Sequence, residues 1–508
     1  MYCPNCGSNS VHKNGTRSLS SGGYSQKYKC NECNKVFSVK KDDIKTTRFI
    51  PNRVLEGRKY VITSAQNNTT TNYNFFNALL NYCEKNKAEL LVIPTLYQRN
   101  LYGEDLLEWD VPEEYLLEEK VSLNNKVNIL ASVHLLVTAE NPLGGLDSLA
   151  KGNSLIVPHN QLQMRSLPVQ RNEPPVVMIS TGTISEAQYI NSKAGEKASF
   201  NHSQSAILVE FDDDMDYHIR VLNCDDEEGF YDIDGYYSSS FKPLEYVEAL
   251  ITGDEHVFVT CKDVANATYN DTNSIVKTLK PKVIVRHDVL DCFTVSHHHR
   301  KDNFLQYSKY INNRNKIEEE LEETINFILD TTPEGTETVV VSSNHHDHLK
   351  RWLNEADPKI EPWNAKIYHH LTWLVLNDIE SKNEIYVPDP FRLYTEYKAK
   401  DKVTFIDRNS SFKIHGIELS NHGDIGANGS RGSISQFSKF SEKMIVGHSH
   451  TPGINKGAYS VGCSTSKNLE YTNGPSSWMN THCVIYPNGK RQLISIINGK
   501  WRADKKGK

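Results

Sequence analysis

Five short apolar runs between residues 245 and 447 each stop on side chains that bind metal ions. The run 246–251 leads into Thr252, Gly253, Asp254, Glu255 and His256, and 283–285 leads into Arg286, His287, Asp288 and then Asp291. Residues 338–341 precede Ser342, Ser343, Asn344, His345, His346, Asp347 and His348. Ile417 and Leu419 precede Asn421 and His422, and 443–446 runs into Gly447, His448, Ser449 and His450. Short apolar runs cut off by glycine or polar residues read as buried strands, and in α/β sheets sites gather at the carboxyl ends of strands. His448 and His450 alternate along an extended chain, so their rings point the same way. A single His-x-His is weak evidence; five strand ends of one chemical kind point to one site.

Residues 1–40 carry a second signal. Cys3 and Cys6, then Cys30 and Cys33, form two Cys-x-x-Cys knuckles separated by a polar stretch. Four thiolates at this spacing suit one tetrahedral structural Zn²⁺, and forty residues with no apolar core need such a staple. A redox dithiol is the alternative, which duplication of the knuckle disfavours. The segment resembles the zinc ribbons of DNA-binding proteins. Lys13, Arg17, Lys27, Lys29 and Lys35 can meet phosphates, with Tyr24, Tyr28 and Phe37 as stacking faces. The plainer alternative is a ribbon that mediates protein contacts.

Charge supports a local rather than a global polyanion surface. The net charge is −6, yet the first 50 residues hold nine Lys and Arg against three acids. Fourteen of the twenty histidines fall between His256 and His450, which places metal chemistry in the C-terminal half. No apolar run is long enough to span a bilayer, and ten cysteines in 508 residues, four in the knuckles and six scattered, suit a reducing compartment, so a cytoplasmic location without membrane partners is expected.

Between these signals, 40–52 reads as a linker. A strand at 60–62, a helix over 72–87 and a strand over 88–94 make a β-α-β unit, and further strands are expected at 127–130, 154–157, 176–179 and 206–209. This predicts a mixed α/β domain that lacks a phosphate loop or dinucleotide fingerprint; it can serve as an assembly surface for a homo-oligomer. The acidic stretch 210–234 reads as a solvated strand-turn-strand face, 303–329 as one helix, and 500–508 as a solvated end.

In the order Asp-x-His, Asp-x-x-Asp, Asn-His, His and Gly-His-x-His, residues 245–508 resemble the calcineurin-like metallophosphoesterases. With a four-cysteine zinc ribbon at 1–40 and a mixed α/β domain at 41–243 read from their own residues, this resemblance implies for 244–508 a β-sandwich flanked by helices, in an α/β chain of three parts. It implies that Asp254, His256, Asp288 and His450 hold one divalent ion, and that Asp288, Asn344, His422 and His448 hold a second, with Asp288 shared. His345 is then the general acid or phosphate-stabilising catalytic group, with Asp347 or His287 as its partner. The family's glycine before the bridging aspartate is His287 here, and its Gly-Asn-His-Asp/Glu turn reads Ser343, Asn344, His345, His346. Oxygen and imidazole ligands favour Mn²⁺, with Fe or Zn as options. His298, His299, Arg300 and Arg431 are candidate substrate contacts.

The arrangement, with its ending Gly474 to Trp478 and Val484 to Arg491, resembles phage-encoded members, some of which degrade host DNA. A ribbon that grips polyanion suits a nuclease more than a small-metabolite phosphatase. The expectation is a two-metal DNase of the host cytoplasm. A phosphatase or cyclic-nucleotide diesterase, and a DNA-binding regulator with an inactive enzyme domain, are the alternatives.

Overall fold

The computed structural model describes residues 3–18, 24–38, 53–97, 107–131, 133–150, 152–170, 173–382, 385–466 and 474–503. The chain divides into two compact units, Met1–Ile50 and Pro51–Lys508. The first is a three-stranded antiparallel sheet of Val11–Ser18, Tyr24–Cys30 and Val36–Ser38. Tyr28 stacks on Phe37 across it, with ring centroids 6.1 Å apart. The side chains of Arg17 and Tyr24, and the linker expected over 40–52, lie outside the described residues.

In the larger unit the β-α-β element forms as the apolar spacing requires. Strands Lys59–Gln66 and Glu89–Thr95 pair in parallel, joined by the helix Tyr73–Asn86. Asn72 caps this helix by accepting from the Phe75 N–H at 2.9 Å, and Lys87 ends it in the left-handed region. Buried Phe75, Phe76, Leu79 and Tyr82 seat it against the sheet side.

Two larger sheets share one hydrophobic core. Six strands run in the order Thr404–Ile406, Glu337–Val341 (β3), Val283–Arg286 (β2), Ala249–Ile251 (β1), Thr481–Ile485 and Arg491–Ser495. The first four are parallel. An eleven-stranded sheet includes Ile417–Glu418 (β4) beside Lys443–Val446 (β5), also in parallel. Ile251, Val285 and Val341 of one sheet join Leu419, Ile445 and Val461 of the other in a single apolar cluster. Burial of that surface, at about 25 cal/mol per Å², holds the sheets face to face.

The eleven-stranded sheet overturns the expected boundary between 243 and 244. Gln163–Leu167 pairs antiparallel with Gly453–Asn455, so strands from 53–180 and from 413–460 lie in one sheet. Residues 41–243 are therefore not a domain of their own. Backbone pairing between segments this far apart along the chain leaves no local mark in the sequence.

Three further expectations change. The acidic stretch is only partly solvated: Asp213 and Asp214 are exposed, but Glu210, Asp212 and Asp232 are buried. Arg220, itself buried, explains this by donating to Glu210 and, through Nε at 2.8 Å and Nη2 at 2.9 Å, to both oxygens of Asp232. The helix expected over 303–329 is two, Asn303–Ile311 and Ile317–Asp330, broken where Asn313 turns left-handed. The tail does not begin as a free end: Trp501 is buried and its Nε1–H donates to the Asn273 carbonyl at 2.9 Å. Lys500 reaches Asp212 and Asp214, so attraction to the acidic turn outweighs its solvation, while 504–508 lie outside the described residues.

Candidate metal centre

The carboxyl ends of β1, β2 and β3 in one sheet and of β4 and β5 in the other converge. Past the strand ends the ladder continues, with the Glu255 N–H donating to the His287 carbonyl at 3.0 Å and the His256 N–H to the Asp288 carbonyl at 2.8 Å. The Gly447 N–H donates to the His422 carbonyl at 2.7 Å, locking the β4 and β5 turns together. Beneath them the buried Arg286 pairs with Glu255 at 2.9 Å and donates to Thr338 and Thr331, which fixes β1, β2 and β3 to one another.

Asp254 lies 3.0 Å from Nε2 of His450, and Nε2 of His450 faces Nε2 of His256 at 3.1 Å. Oδ2 of Asp288 is approached by Nε2 of His422 at 3.4 Å, of His256 at 3.5 Å and of His345 at 3.7 Å. Three groups of donors result: Asp254, His256 and His450; Asp254, Asp288 and His422; and His256, Asp288 and His345. The structure thus brings six of the expected residues together. His448 stands beside them, its ring centroid 5.3 Å from that of His422. Asn344 starts the helix Asn344–Glu355 (α1).

Buried polar atoms usually have hydrogen-bond partners. Here both carboxylate oxygens of Asp254, Oδ1 of Asp288, Oδ1 of Asn344 and Nε2 of His422 are buried without one. The Asp254–His450 approach is close, but not at a hydrogen-bonding angle. Unpaired carboxylate and imidazole donors converging within a buried cluster fit divalent ions, and the set is free of thiolate, as Mn²⁺, Fe or Zn allow.

Electrostatics point the same way. Burial pushes the Asp254 carboxyl up, but His422 and His450 outweigh it and hold it at about 2. Burial likewise opposes the charge on Asp288, and His345, His422 and His256 hold its carboxyl well below the usual range. Burial disfavours a proton on His256, yet Asp288 and Asp291 raise it to about 9. Protons on imidazoles thus occupy the place of the positive charge these carboxylates require.

Backbone geometry is bent to fit. His256, Asp288, His448 and His450 all have positive φ, at 39°, 49°, 67° and 55°. Such conformations cost on the order of 1–3 kcal/mol each and cluster at functional sites. Gly447 is required by contact: a Cβ there would sit 2.3 Å from Oδ1 of Asp254 and 3.1 Å from Cγ of His287.

The partner of His345 is neither Asp347 nor His287. Nδ1 of His345 bonds the Asp291 carbonyl oxygen at 2.6 Å, because the turn after β2 lies across the start of α1. Asp347 instead pairs with Arg408 at 2.9 Å, and Arg408 reaches Asp424 at 2.6 Å. His287 faces His422, their Nδ1 atoms 3.5 Å apart. Of the candidate substrate contacts, Arg300 is taken up by Glu355 at 2.9 Å, and His299 by the Lys309 ammonium at 3.0 Å. Arg431 is exposed in the turn that follows His422. Asp291, Arg408 and Trp478, whose ring lies 4.1 Å from that of His450, escaped sequence reasoning as partners of the site. The second carboxylate of the Asp-x-x-Asp motif was the available signal for Asp291.

In the small unit Cys3, Cys6, Cys30 and Cys33 converge. Sγ of Cys3 lies 3.5 Å from that of Cys33, and Sγ of Cys6 lies 3.6 Å from that of Cys30. Hydrogen bonds from the Lys35 backbone and Asn5 lower the Cys33 thiol to about 6, while Cys6, despite a bond from the Ser8 backbone, is pushed up to about 12 by Cys33, burial and the other thiols, so the four sulfurs share protons that an ion would displace. All ten cysteines are free thiols.

The fold and sites define a mixed α/β protein with a four-cysteine cluster able to bind zinc and a buried His/Asp centre able to bind metal ions. Over 466 residues the chain is 34% identical to Protein A1 of Escherichia phage T5, a match that takes in 89% of this chain and 84% of that protein. The chain belongs to the family of that phage protein. No family model matches the chain. No solved structure matches it. Among the described residues, no helix is long and apolar enough to cross a membrane.

Proposed function

We propose that this protein is a two-metal phosphodiesterase of the calcineurin-like metallophosphoesterase kind, acting on DNA as a phage-encoded nuclease. One observation carries the reading: the Asp288 carboxylate stands between the His256 and His422 imidazoles, at 3.5 and 3.4 Å, where it can bridge two ions. Asp254, His256 and His450 would hold one ion with it, and His422, His448 and Asn344 would hold the other. Two divalent ions bound there supply Lewis acidity, an activated water and neutralisation of charge on the phosphoryl oxygens.

His345 is only partly buried, unlike the other imidazoles around Asp288. The carbonyl of Asp291 fixes its Nδ1–H, which leaves Nε2 to face the reacting phosphate and, when protonated, to hand a proton to the leaving oxygen. Asp254 and Asp288 stay ionised throughout the neutral range, as ligands must. The basic four-cysteine unit supports DNA over a small ester, since phosphate contacts by lysines supply sequence-independent affinity.

Incubation of the full chain with linear and circular DNA and Mn²⁺, beside Asp288→Ala and His345→Ala, tests the reading. Cleavage by the parent protein and none by Asp288→Ala is expected. Hydrolysis of para-nitrophenyl phosphate esters with both DNA forms left intact overturns the DNA assignment. No hydrolysis of either substrate overturns the enzyme.

A further inference from the structure

His297 and His298 follow β2 in a loop, and His348 projects from α1; their rings meet outside the centre described above. Ring centroids are 3.8 Å apart for His297 and His298, 4.9 Å for His297 and His348, and 5.7 Å for His298 and His348. A ring nitrogen from each of the three falls within 4.8 Å of the other two. Nδ1 of His297 and Nδ1 of His348 are buried without hydrogen-bond partners. Two unsatisfied imidazole nitrogens, brought from separate elements to one place, call for a shared electrophile.

The loop is held in this position independently of the three rings. Arg300 reaches across to Glu355 at the end of α1, at 2.9 Å. His299 turns away to the Lys309 ammonium at 3.0 Å, while its N–H closes a turn on the Ser296 carbonyl at 3.1 Å. On α1, Asn344 and His348 are four residues apart and His345 and His348 three apart, so one helix face serves both clusters. The rings of His345 and His348 lie 4.9 Å apart.

We propose that His297, His298 and His348 form a further metal site that takes one zinc-type divalent ion on three imidazoles. An all-nitrogen donor set favours Zn²⁺ over Mn²⁺, unlike the carboxylate-rich centre beside it. Three ligands leave a tetrahedral ion one open position for water or an anionic oxygen. The assignment does not depend on the reaction proposed above.

Zinc and cobalt binding to the full chain test it. Zinc per chain is measured by mass spectrometry after equilibrium dialysis, for the parent protein, His298→Ala, His348→Ala, Cys6→Ser and Asp288→Ala. His298 is exposed, so its replacement leaves the packing intact; circular dichroism checks each variant. Expected is the loss of one zinc equivalent, or at least tenfold weaker binding of it, in both histidine variants, with Cys6→Ser and Asp288→Ala retaining that equivalent. Cobalt(II) titration should lose one set of visible d–d bands in the same two variants. Unchanged zinc content and an unchanged cobalt spectrum in His298→Ala and His348→Ala overturn the site.

Discussion

Oδ1 of Asp291 lies 2.9 Å from Nδ1 of His256, on the side of the ring away from Asp288. The same residue's carbonyl holds His345, so one turn fixes one imidazole of the centre and sets a carboxylate beside another. Carboxylates behind metal-binding histidines raise ligand basicity and fix ring orientation. Asp291→Asn is therefore expected to weaken metal binding or turnover by about 10- to 100-fold while the fold is kept. Manganese titration and DNA cleavage rates on the purified variant check this.

Gly447→Ala places a methyl group against Oδ1 of Asp254. Asp254 must then swing away from His450, or the β5 turn must open. Overpacking of this kind costs roughly 1–3 kcal/mol. Reduced thermal stability together with loss of one manganese equivalent is expected; parent-like values for both would contradict the contact.

Arg220→Met strands Glu210 and Asp232 in the interior without their guanidinium. Breaking a buried pair from one side costs about 3–5 kcal/mol, because the carboxylates left behind stay desolvated. Urea unfolding should show this loss with little change at the metal centre, which is built from other strands.

Metal binding should release protons. The folded-state pKa of His256 is raised from 6.5 to about 9, so its proton stabilises the metal-free protein below pH 6.5. That contribution fades as pH rises through about 9. An ion taking His256 as ligand must displace this proton, so affinity should rise by up to about tenfold per pH unit across that window. Calorimetry in buffers of different ionisation heat reads the protons directly.

Cys33→Ser should cost the protein one zinc equivalent and the order of its first unit. The three short strands present little apolar surface, so zinc supplies most of the folding free energy. Limited proteolysis should then cut within the first 50 residues and spare 53–97, whose strands belong to the separately packed body. Equal resistance in parent and variant would count against a structural zinc.

Much of the candidate site was legible because each of its motifs is short and ends a strand. The unbroken apolar run 444–446, buried throughout, and the stop at Gly447 are local facts, visible within a few positions. The same holds for the cap at Asn72 and for the four cysteines. Arg220 was not legible: a lone arginine among acids looks solvated until two strands and a turn enclose it. Nor was the turn at Asn313, where helical spacing continues on both sides of the break.

The sequence by itself determined which side chains able to bind metal are present, the strand ends that carry them and the helix over 72–87. Only the tertiary structure decided that the strands of 53–180 join those of 413–460 in one sheet, that Asp291 rather than Asp347 or His287 supports His345, and that His297 and His298 meet His348. Local preference depends on neighbours a few residues away, which a chain displays directly. Partnerships across tens or hundreds of residues rest on backbone hydrogen bonds and buried surface common to every strand, and these acquire identity only when the chain is packed.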